Sequence, residues 1–118
     1  MDIYTTFTFD AAHSLPNVPP GHKCSRVHGH TFKVEIHVSG PLDEHYGWVI
    51  DFADIQKAFA PLLEQLDHTN LNDIAGLENP TSENIALWIW EKLKPRLSLL
   101  TKVIVEENPG IGVIYRGE

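Results

Sequence analysis

The sequence predicts an α+β domain in which two helices pack on one face of a four-stranded antiparallel sheet. Two observations predict this class. Apolar and polar residues alternate toward both ends of the chain, whereas apolar residues recur every three or four positions in the middle. The predicted order is strand, strand, helix, helix, strand, strand. Because 118 residues is the usual length of one domain, we predict a single domain over residues 1–118.

Alternation predicts the first two strands. Odd positions from Ile3 to His13 share one mostly apolar face, and even positions from His28 to Val38 do the same in the second strand. The connection between them, residues 14–27, is far longer than an ordinary hairpin loop and contains three prolines. We therefore predict a functional loop.

The first helix is predicted to begin after Asp51, a residue type that caps helix N-termini. Its apolar positions are spaced by three and four, at Phe52, Ile55, Phe59, Leu62 and Leu66. Pro61 interrupts this pattern, so we expect a kink or a new helical turn there.

The second helix is predicted to be capped by Thr81 or Ser82 and to end near Pro95. Residues 101–107 and 111–116 then form a predicted closing hairpin.

Composition excludes several classes of partner. Nine basic residues against sixteen acidic ones give a net charge of -7, and no run of Lys or Arg suggests binding to nucleic acid. No apolar stretch approaches the length of a membrane span, and the N-terminus does not resemble a signal peptide. The single cysteine fits a reducing compartment. We expect a cytoplasmic protein with neither a membrane nor a nucleic acid as partner.

Three histidines form a candidate metal site. His28 and His30 project from one strand face, and His13 lies beside them if the first two strands form an antiparallel hairpin. Three imidazoles with a fourth position open are typical of catalytic zinc, and nitrogen donors suit zinc better than magnesium or calcium. The alternative is that these are histidines at the edge of the core, bonded to backbone carbonyls. His37 and His45 are predicted to be surface residues, and His22 is left without a role.

Cys24 lies in the long loop between Lys23 and Arg26. These cations, together with a nearby metal, would favour a thiolate that acts as base or nucleophile. The alternative is a small buried side chain without a chemical role.

Two further features carry chemistry. Asp67 and His68 follow the first helix, either as a helix end or as a general acid or base oriented by a carboxylate. Glu107 shares a strand face with Val105 and could bind two adjacent N–H groups, such as those of a pterin or guanine. Glu106 is the competing candidate, and alternation alone does not decide between them.

Five segments together resemble the 6-pyruvoyltetrahydropterin synthase superfamily. They are FTFDAAH at 7–13, CSRVHGH at 24–30, LDHTNLND at 66–73, NPTSENIALWIW at 79–90, and the C-terminal IYRGE. The resemblance implies the tunnelling fold, in which subunits pair their antiparallel sheets into an oligomeric barrel with helices outside. It implies a homo-oligomer, usually a hexamer built as a dimer of trimers, with interfacial active sites. Such sites would explain why the predicted elements do not bring Glu107 to the metal within one chain.

The resemblance also implies roles for the candidate residues. One Zn²⁺ per subunit would be bound by His13, His28 and His30, and Cys24 would be the base that abstracts a proton. Asp67 and His68 would complete the proton relay.

Matching positions identify the substrate pocket as well. Glu107 would anchor the pterin ring, and Thr81 and Ser82 belong to the segment that lines the pterin pocket in relatives. From charge alone, Lys23 and Arg26 could bind the triphosphate of the substrate.

The three residues between Cys24 and His28 resemble the branch that forms 6-carboxytetrahydropterin for queuosine biosynthesis. The implied reaction converts 7,8-dihydroneopterin triphosphate to 6-carboxy-5,6,7,8-tetrahydropterin, releasing acetaldehyde and triphosphate. Three alternatives stay open: a 6-pyruvoyltetrahydropterin synthase that keeps the side chain, a zinc hydrolase, and a non-catalytic purine-binding module.

Overall fold

Two long antiparallel strands form the centre of the sheet in this computed structural model, which describes residues 1–118. Strand β1 is Asp2–His13 and strand β2 is His28–Ser39. Their register pairs Asp2 with Ser39 at one end and His13 with His28 at the other, without a bulge. The predicted N-terminal hairpin is therefore confirmed.

The remaining elements follow in the predicted order, with one addition. They are helix α1 (Phe52–Leu66), strand β3 (Thr69–Asn70), helix α2 (Ser82–Leu93), strand β4 (Leu100–Asn108) and strand β5 (Ile111–Tyr115). The sheet has five strands in the order β3-β1-β2-β4-β5.

The predicted four-stranded, fully antiparallel sheet is wrong in both number and direction. Strand β3 pairs in parallel with Ala11 and Ala12 of β1, which makes the sheet mixed. A strand of two residues is too short to show alternation, so the sequence contains no periodic signal for it.

Helix α1 begins where Asp51 accepts a hydrogen bond of 2.9 Å from the N–H of Ala53. The helix continues through Pro61, so the new helical turn, one of the two outcomes expected there, is wrong. Pro61 and Lys57 are both exposed, and the Lys57 carbonyl that loses its helical partner can therefore be solvated.

Helix α2 is capped by Thr81, whose Oγ1 accepts a hydrogen bond of 3.1 Å from the N–H of Asn84. Ser82 is the first helical residue and is buried. Thr81 is thus the cap, and Ser82 points its hydroxyl elsewhere.

One apolar cluster of 21 residues joins the sheet to both helices. Phe32, Val34 and Val103 contribute from the sheet, while Phe59 and Ile89 contribute from the helices. Since all pack together, the helices cover one face of the sheet, as predicted. No helix has the length and apolarity that crossing a membrane requires.

His37 differs from its predicted surface position. It lies on the polar face of β2 but is only 8% exposed, because its ring stacks on Tyr4 and its Nε2 lies 2.9 Å from Glu35. The hydrogen bond with His37 is the main cause that lowers the pKa of Glu35. Cross-strand packing on the polar face, which alternation does not reveal, buries this histidine.

Phe59 and Phe52 offer a matched test of the core. Phe59 is fully buried and its ring centroid lies 4.4 Å from that of Phe7, whereas Phe52 in the same helix is 54% exposed. We expect Phe59→Ala to lower the free energy of unfolding by about 3–5 kcal/mol, because it removes core contacts and leaves a cavity. Phe52→Ala should cost less than about 1 kcal/mol. Urea unfolding at one protein concentration measures both, and equal losses would contradict this difference in burial.

Candidate metal and active site

Three histidine rings meet at one end of the sheet. The register of β1 and β2 pairs His13 with His28, and His30 follows two residues later on the same face. The ring centroids are 4.6 Å apart for His13 and His28, 5.1 Å for His13 and His30, and 4.9 Å for His28 and His30. One nitrogen from each ring lies within 4.8 Å of the others. This group could bind a metal ion.

Backbone carbonyls determine which nitrogens are free. His13 Nδ1 donates to the carbonyl of Pro80 at 2.8 Å, and His28 Nδ1 donates to that of Arg26 at 2.7 Å. Because a carbonyl only accepts, the hydrogen of each neutral ring is on Nδ1, which leaves the Nε2 lone pair available.

The Nε2 atoms of His13 and His30 are buried without a hydrogen-bond partner. Burial lowers the pKa of His13, which favours the neutral form that a metal needs. An Nε2 acceptor without a partner at His13, within a group of three imidazoles, fits a metal ion. The alternative prediction, that the histidines bond backbone carbonyls, is also correct for His13 and His28. These bonds support metal binding, because they leave Nε2 of each ring as the nitrogen available to a metal.

Glu107 reaches the histidines within one chain, contrary to expectation. Its Oε2 lies 3.3 Å from His30 Nε2, a close contact that does not have the geometry of a hydrogen bond. Ser82 Oγ donates to its Oε1 at 3.1 Å. This is possible because β4 runs directly beside β2, a neighbour relation that the order of elements did not reveal. Glu106 instead lies opposite Lys33 in the register of β2 and β4, on the polar face, so Glu107 is the glutamate that lies beside the histidine group.

A cavity of about 700 Å³ opens beside this group. Its lining brings together the predicted loop and strand residues Lys23, Cys24, Arg26, His28, His30 and Glu107. Cys24 lies in a 3₁₀ turn, Lys23–Ser25, and its carbonyl accepts from the N–H of Leu15 at 2.8 Å. Neither Lys23 nor Arg26 is paired with a carboxylate, so both are available to an anion.

Asp67 and His68 form a hydrogen-bonded dyad away from that cavity. Asp67 Oδ1 lies 2.9 Å from His68 Nδ1, and the His68 side chain is 78% exposed. His68 borders a second cavity with Asp10, Gly29 and Thr31, residues of the polar sheet face. Within one chain the dyad therefore does not meet Cys24, although His30 borders both cavities.

The backbone of Asp10 holds the dyad in place. Its N–H donates to Asp67 Oδ1 at 3.0 Å, and its carbonyl accepts from the N–H of His68 at 2.6 Å. His68 has a φ of 58°, a left-handed conformation that is uncommon outside glycine and is stabilised by this contact. The Asp10 N–H, followed by His68, lowers the pKa of Asp67.

Several supporting residues were missed by the sequence analysis. Pro80 supplies the carbonyl that orients His13, and the Asn72 side chain bonds both the N–H and the carbonyl of Ser14, next to His13. Asp10 acts through its backbone. Contacts made by backbone groups cannot be identified from the types of the residues, because every residue has a backbone carbonyl. Only Asn72, in a polar segment directly after the dyad, offered a signal.

The remaining predicted residues have structural contacts of their own. Thr81 and Ser82 do not line the cavity with Cys24: Thr81 caps α2, and Ser82 reaches that cavity only through Glu107.

Comparison with known proteins agrees with this architecture. The family profile described as 6-pyruvoyl tetrahydropterin synthase matches residues 2–118. A solved structure of the Caenorhabditis elegans 6-pyruvoyl tetrahydropterin synthase superimposes with a TM-score of 0.92 at 30% identity, covering 100% of this chain and 96% of that one. The chain thus has the fold of a pterin synthase.

Two curated relatives are more similar in sequence. A Synechocystis 6-carboxy-5,6,7,8-tetrahydropterin synthase is 43% identical over 78% of this chain and 74% of its own. A Pyrococcus furiosus dihydroneopterin monophosphate aldolase is 41% identical over 76% of this chain and 72% of its own. The chain belongs to the 6-pyruvoyl tetrahydropterin synthase family, which confirms the family predicted from its motifs.

The hydrogen bonds of Asp67 predict its titration. We expect its carboxyl group to titrate below the ordinary value, and His68→Ala to restore that value only in part, because the Asp10 N–H is the larger cause. A carboxylate with a lowered pKa adds stability above the ordinary value, and this stability is lost as the pH falls through the lowered pKa. NMR titration of the carboxyl carbon measures both proteins. A full return to the ordinary value in His68→Ala would contradict the proposed order of causes.

Proposed function

We propose that this protein is a zinc-dependent lyase that converts 7,8-dihydroneopterin triphosphate and one water molecule to 6-carboxy-5,6,7,8-tetrahydropterin, acetaldehyde and triphosphate. The observation that carries the proposal is that Cys24, Glu107 and two members of the histidine group, His28 and His30, line one cavity. The gap of three residues between Cys24 and His28 and the 43% identity to the Synechocystis enzyme support the 6-carboxy product. We further propose that it acts as a single domain in the cytoplasm, in queuosine biosynthesis.

The histidine group is the proposed site of one zinc ion per subunit. The imidazole nitrogens of His13, His28 and His30 are the donors that zinc prefers, and the Nε2 of His13 is buried without a hydrogen-bond partner. Bound zinc would polarise the side-chain oxygens of the substrate and acidify the neighbouring C–H groups.

Glu107 is the proposed anchor of the pterin ring. A carboxylate can accept hydrogen bonds from two adjacent N–H groups, and a half-buried one gains most from such a partner. Ser82 donates to Oε1 of this carboxylate and would orient it, while Thr81 supports the same segment by capping α2. Lys23 and Arg26, unpaired at the cavity, are proposed to bind the triphosphate.

Cys24 is the proposed base, because it borders the cavity that Lys23 and Arg26 also line. His68, oriented by the ionised Asp67, is proposed to return a proton during elimination. Since His68 borders a different cavity, the relay would combine Cys24 of one subunit with the dyad of another.

Open sheet edges support a homo-oligomer. Strand β3 covers only Ala11 and Ala12 of β1, so most of the outer edge of β1 carries unpaired backbone groups, and β5 ends the sheet on the other side. Exposed edges of this length favour pairing with another chain. We propose that subunits pair edge to edge into a barrel, as a hexamer of two trimers with interfacial active sites.

A second candidate is cleavage of dihydroneopterin monophosphate. The 41% identity to the Pyrococcus furiosus aldolase favours it, and the same cavity could hold either substrate. The two candidates differ in the phosphate chain and in the products.

Product analysis tests the proposal directly. Zinc-loaded protein should convert dihydroneopterin triphosphate to a product with the mass of 6-carboxytetrahydropterin and release acetaldehyde, detected with alcohol dehydrogenase. Cys24→Ala should lower the rate by about 10²- to 10⁴-fold, since it removes the base. His45→Ala, an exposed histidine outside the cavity, serves as control.

Each rival predicts a different result. A product that keeps all side-chain carbons would indicate a 6-pyruvoyltetrahydropterin synthase, and turnover of the monophosphate alone would indicate the aldolase. Hydrolysis without a change in the pterin, independent of Cys24, would indicate a zinc hydrolase. Tight binding without turnover would indicate a purine-binding module.

Mixed oligomers test the interfacial site. Cys24→Ala and His68→Ala should each be inactive alone, but co-expressed with different tags they should recover about a quarter of the wild-type rate, because random pairing restores some complete sites. Co-expression of Cys24→Ala with His28→Ala should recover nothing, since these two residues line one cavity of one chain. Purified mixed oligomers are compared at equal concentration. Absence of recovery in the first mixture would contradict a shared site.

A further inference from the structure

His22 contacts the backbone of the proposed base. Its Nδ1 accepts a hydrogen bond of 3.1 Å from the N–H of Cys24, and its carbonyl accepts from both the N–H and the Oγ of Ser25, at 3.1 Å and 2.8 Å. His22 is therefore the N-cap of the 3₁₀ turn Lys23–Ser25. It is exposed and does not line the cavity that Cys24 lines.

The turn is held from both sides of Cys24. The His22 ring binds the Cys24 N–H, and the Leu15 N–H binds the Cys24 carbonyl at 2.8 Å. Leu15 follows β1 by two residues, so one side of the turn is anchored to the sheet. On the other side, the hydrogen bond from the Cys24 N–H to the His22 ring holds the turn. Without this ring, the Cys24 N–H loses its partner in a loop that has no other regular structure.

The choice of histidine has a steric basis. Its Nδ1 lies one bond beyond Cγ, as does the Oδ1 of asparagine, which is among the best capping residues. His22→Asn therefore keeps an acceptor at the same place, whereas His22→Ala removes it.

We propose that His22 is a positioning residue for Cys24, whose ring closes the turn that keeps the thiol at the cavity of the histidine group. This inference rests on the proposed function, in which Cys24 is the base. His22 touches neither substrate nor metal in this proposal, and it acts only through the Cys24 backbone.

The first measurement needs no substrate. Amide hydrogen exchange at Cys24 should become about fivefold faster in His22→Ala, the change that corresponds to a typical capping interaction, and should return to the wild-type rate in His22→Asn. His45→Ala, another exposed loop histidine, should leave this exchange unchanged. Unchanged exchange in His22→Ala would overturn the inference.

The second measurement uses the zinc-loaded oligomer and dihydroneopterin triphosphate. His22→Ala should lower kcat by about fivefold or more, with KM, zinc content and the unfolding midpoint unchanged, because the metal ligands lie on strands. His22→Asn should restore kcat. Faster exchange with a wild-type kcat, or a kcat that His22→Asn does not restore, would overturn the positioning role.

Failure of the proposed function gives a different pattern. Full turnover in Cys24→Ala would remove Cys24 from the chemistry and with it any catalytic role of His22. The exchange at Cys24 would still report whether His22 caps the turn. The chain has one cysteine, so no other thiol can replace Cys24 in these measurements.

Discussion

The pairing of β1 with β2 is the constraint on which the candidate site depends. An unbroken ladder from Asp2 and Ser39 to His13 and His28 brings the histidines together at its last rung. Side chains alternate between the faces of a strand, so a slip of one residue would move two of the three rings to the opposite face. The buried Phe9 and Phe32, paired in the same ladder with ring centroids 5.0 Å apart, oppose such a slip, because it would expose one of them. Core packing thus sets the geometry of the polar site.

The chemical form of the histidines follows from groups outside the ladder. The carbonyls of Pro80 and Arg26 direct two Nδ1 hydrogens away from the site, and burial favours neutral His13. A buried acceptor without a partner costs about 1–3 kcal/mol, which any ligand of the Nε2 atoms would relieve. The segment before α2 therefore influences the site twice, through the Pro80 carbonyl and through the Ser82 hydroxyl on Glu107.

The sequence predicted those elements in which apolar residues recur with the period of a strand or a helix. Alternation or helical spacing predicted both long strands, both helices and the closing hairpin. Alternation also predicted that the three histidines lie close together. Strand β3 has two residues, and the adjacency of β2 and β4 is a property of topology, so neither had a periodic signal. For the same reason Glu107 was expected in another subunit. The contacts made by the Asp10 backbone and by the His22 ring depend on the loop conformation, which residue types alone do not specify.

The candidate catalytic residues of one chain lie at two different cavities. Cys24 and Glu107 border the cavity on the side of the helices, whereas His68 borders Asp10 and Thr31 on the polar side. Glu107 and Cys24 of one chain thus line the same cavity, whereas His68 of that chain lines the other. The dyad is nevertheless held in place, since the Asp10 backbone forms hydrogen bonds with both of its residues. His68 has a left-handed backbone conformation. Such a conformation persists only where its surroundings stabilise it, and the 78% exposed ring of His68 has no partner in its own chain beyond Asp67. An ordered, exposed histidine outside the cavity of Cys24 is what the proposed site shared between subunits requires, and the open edge of β1 lies beside it.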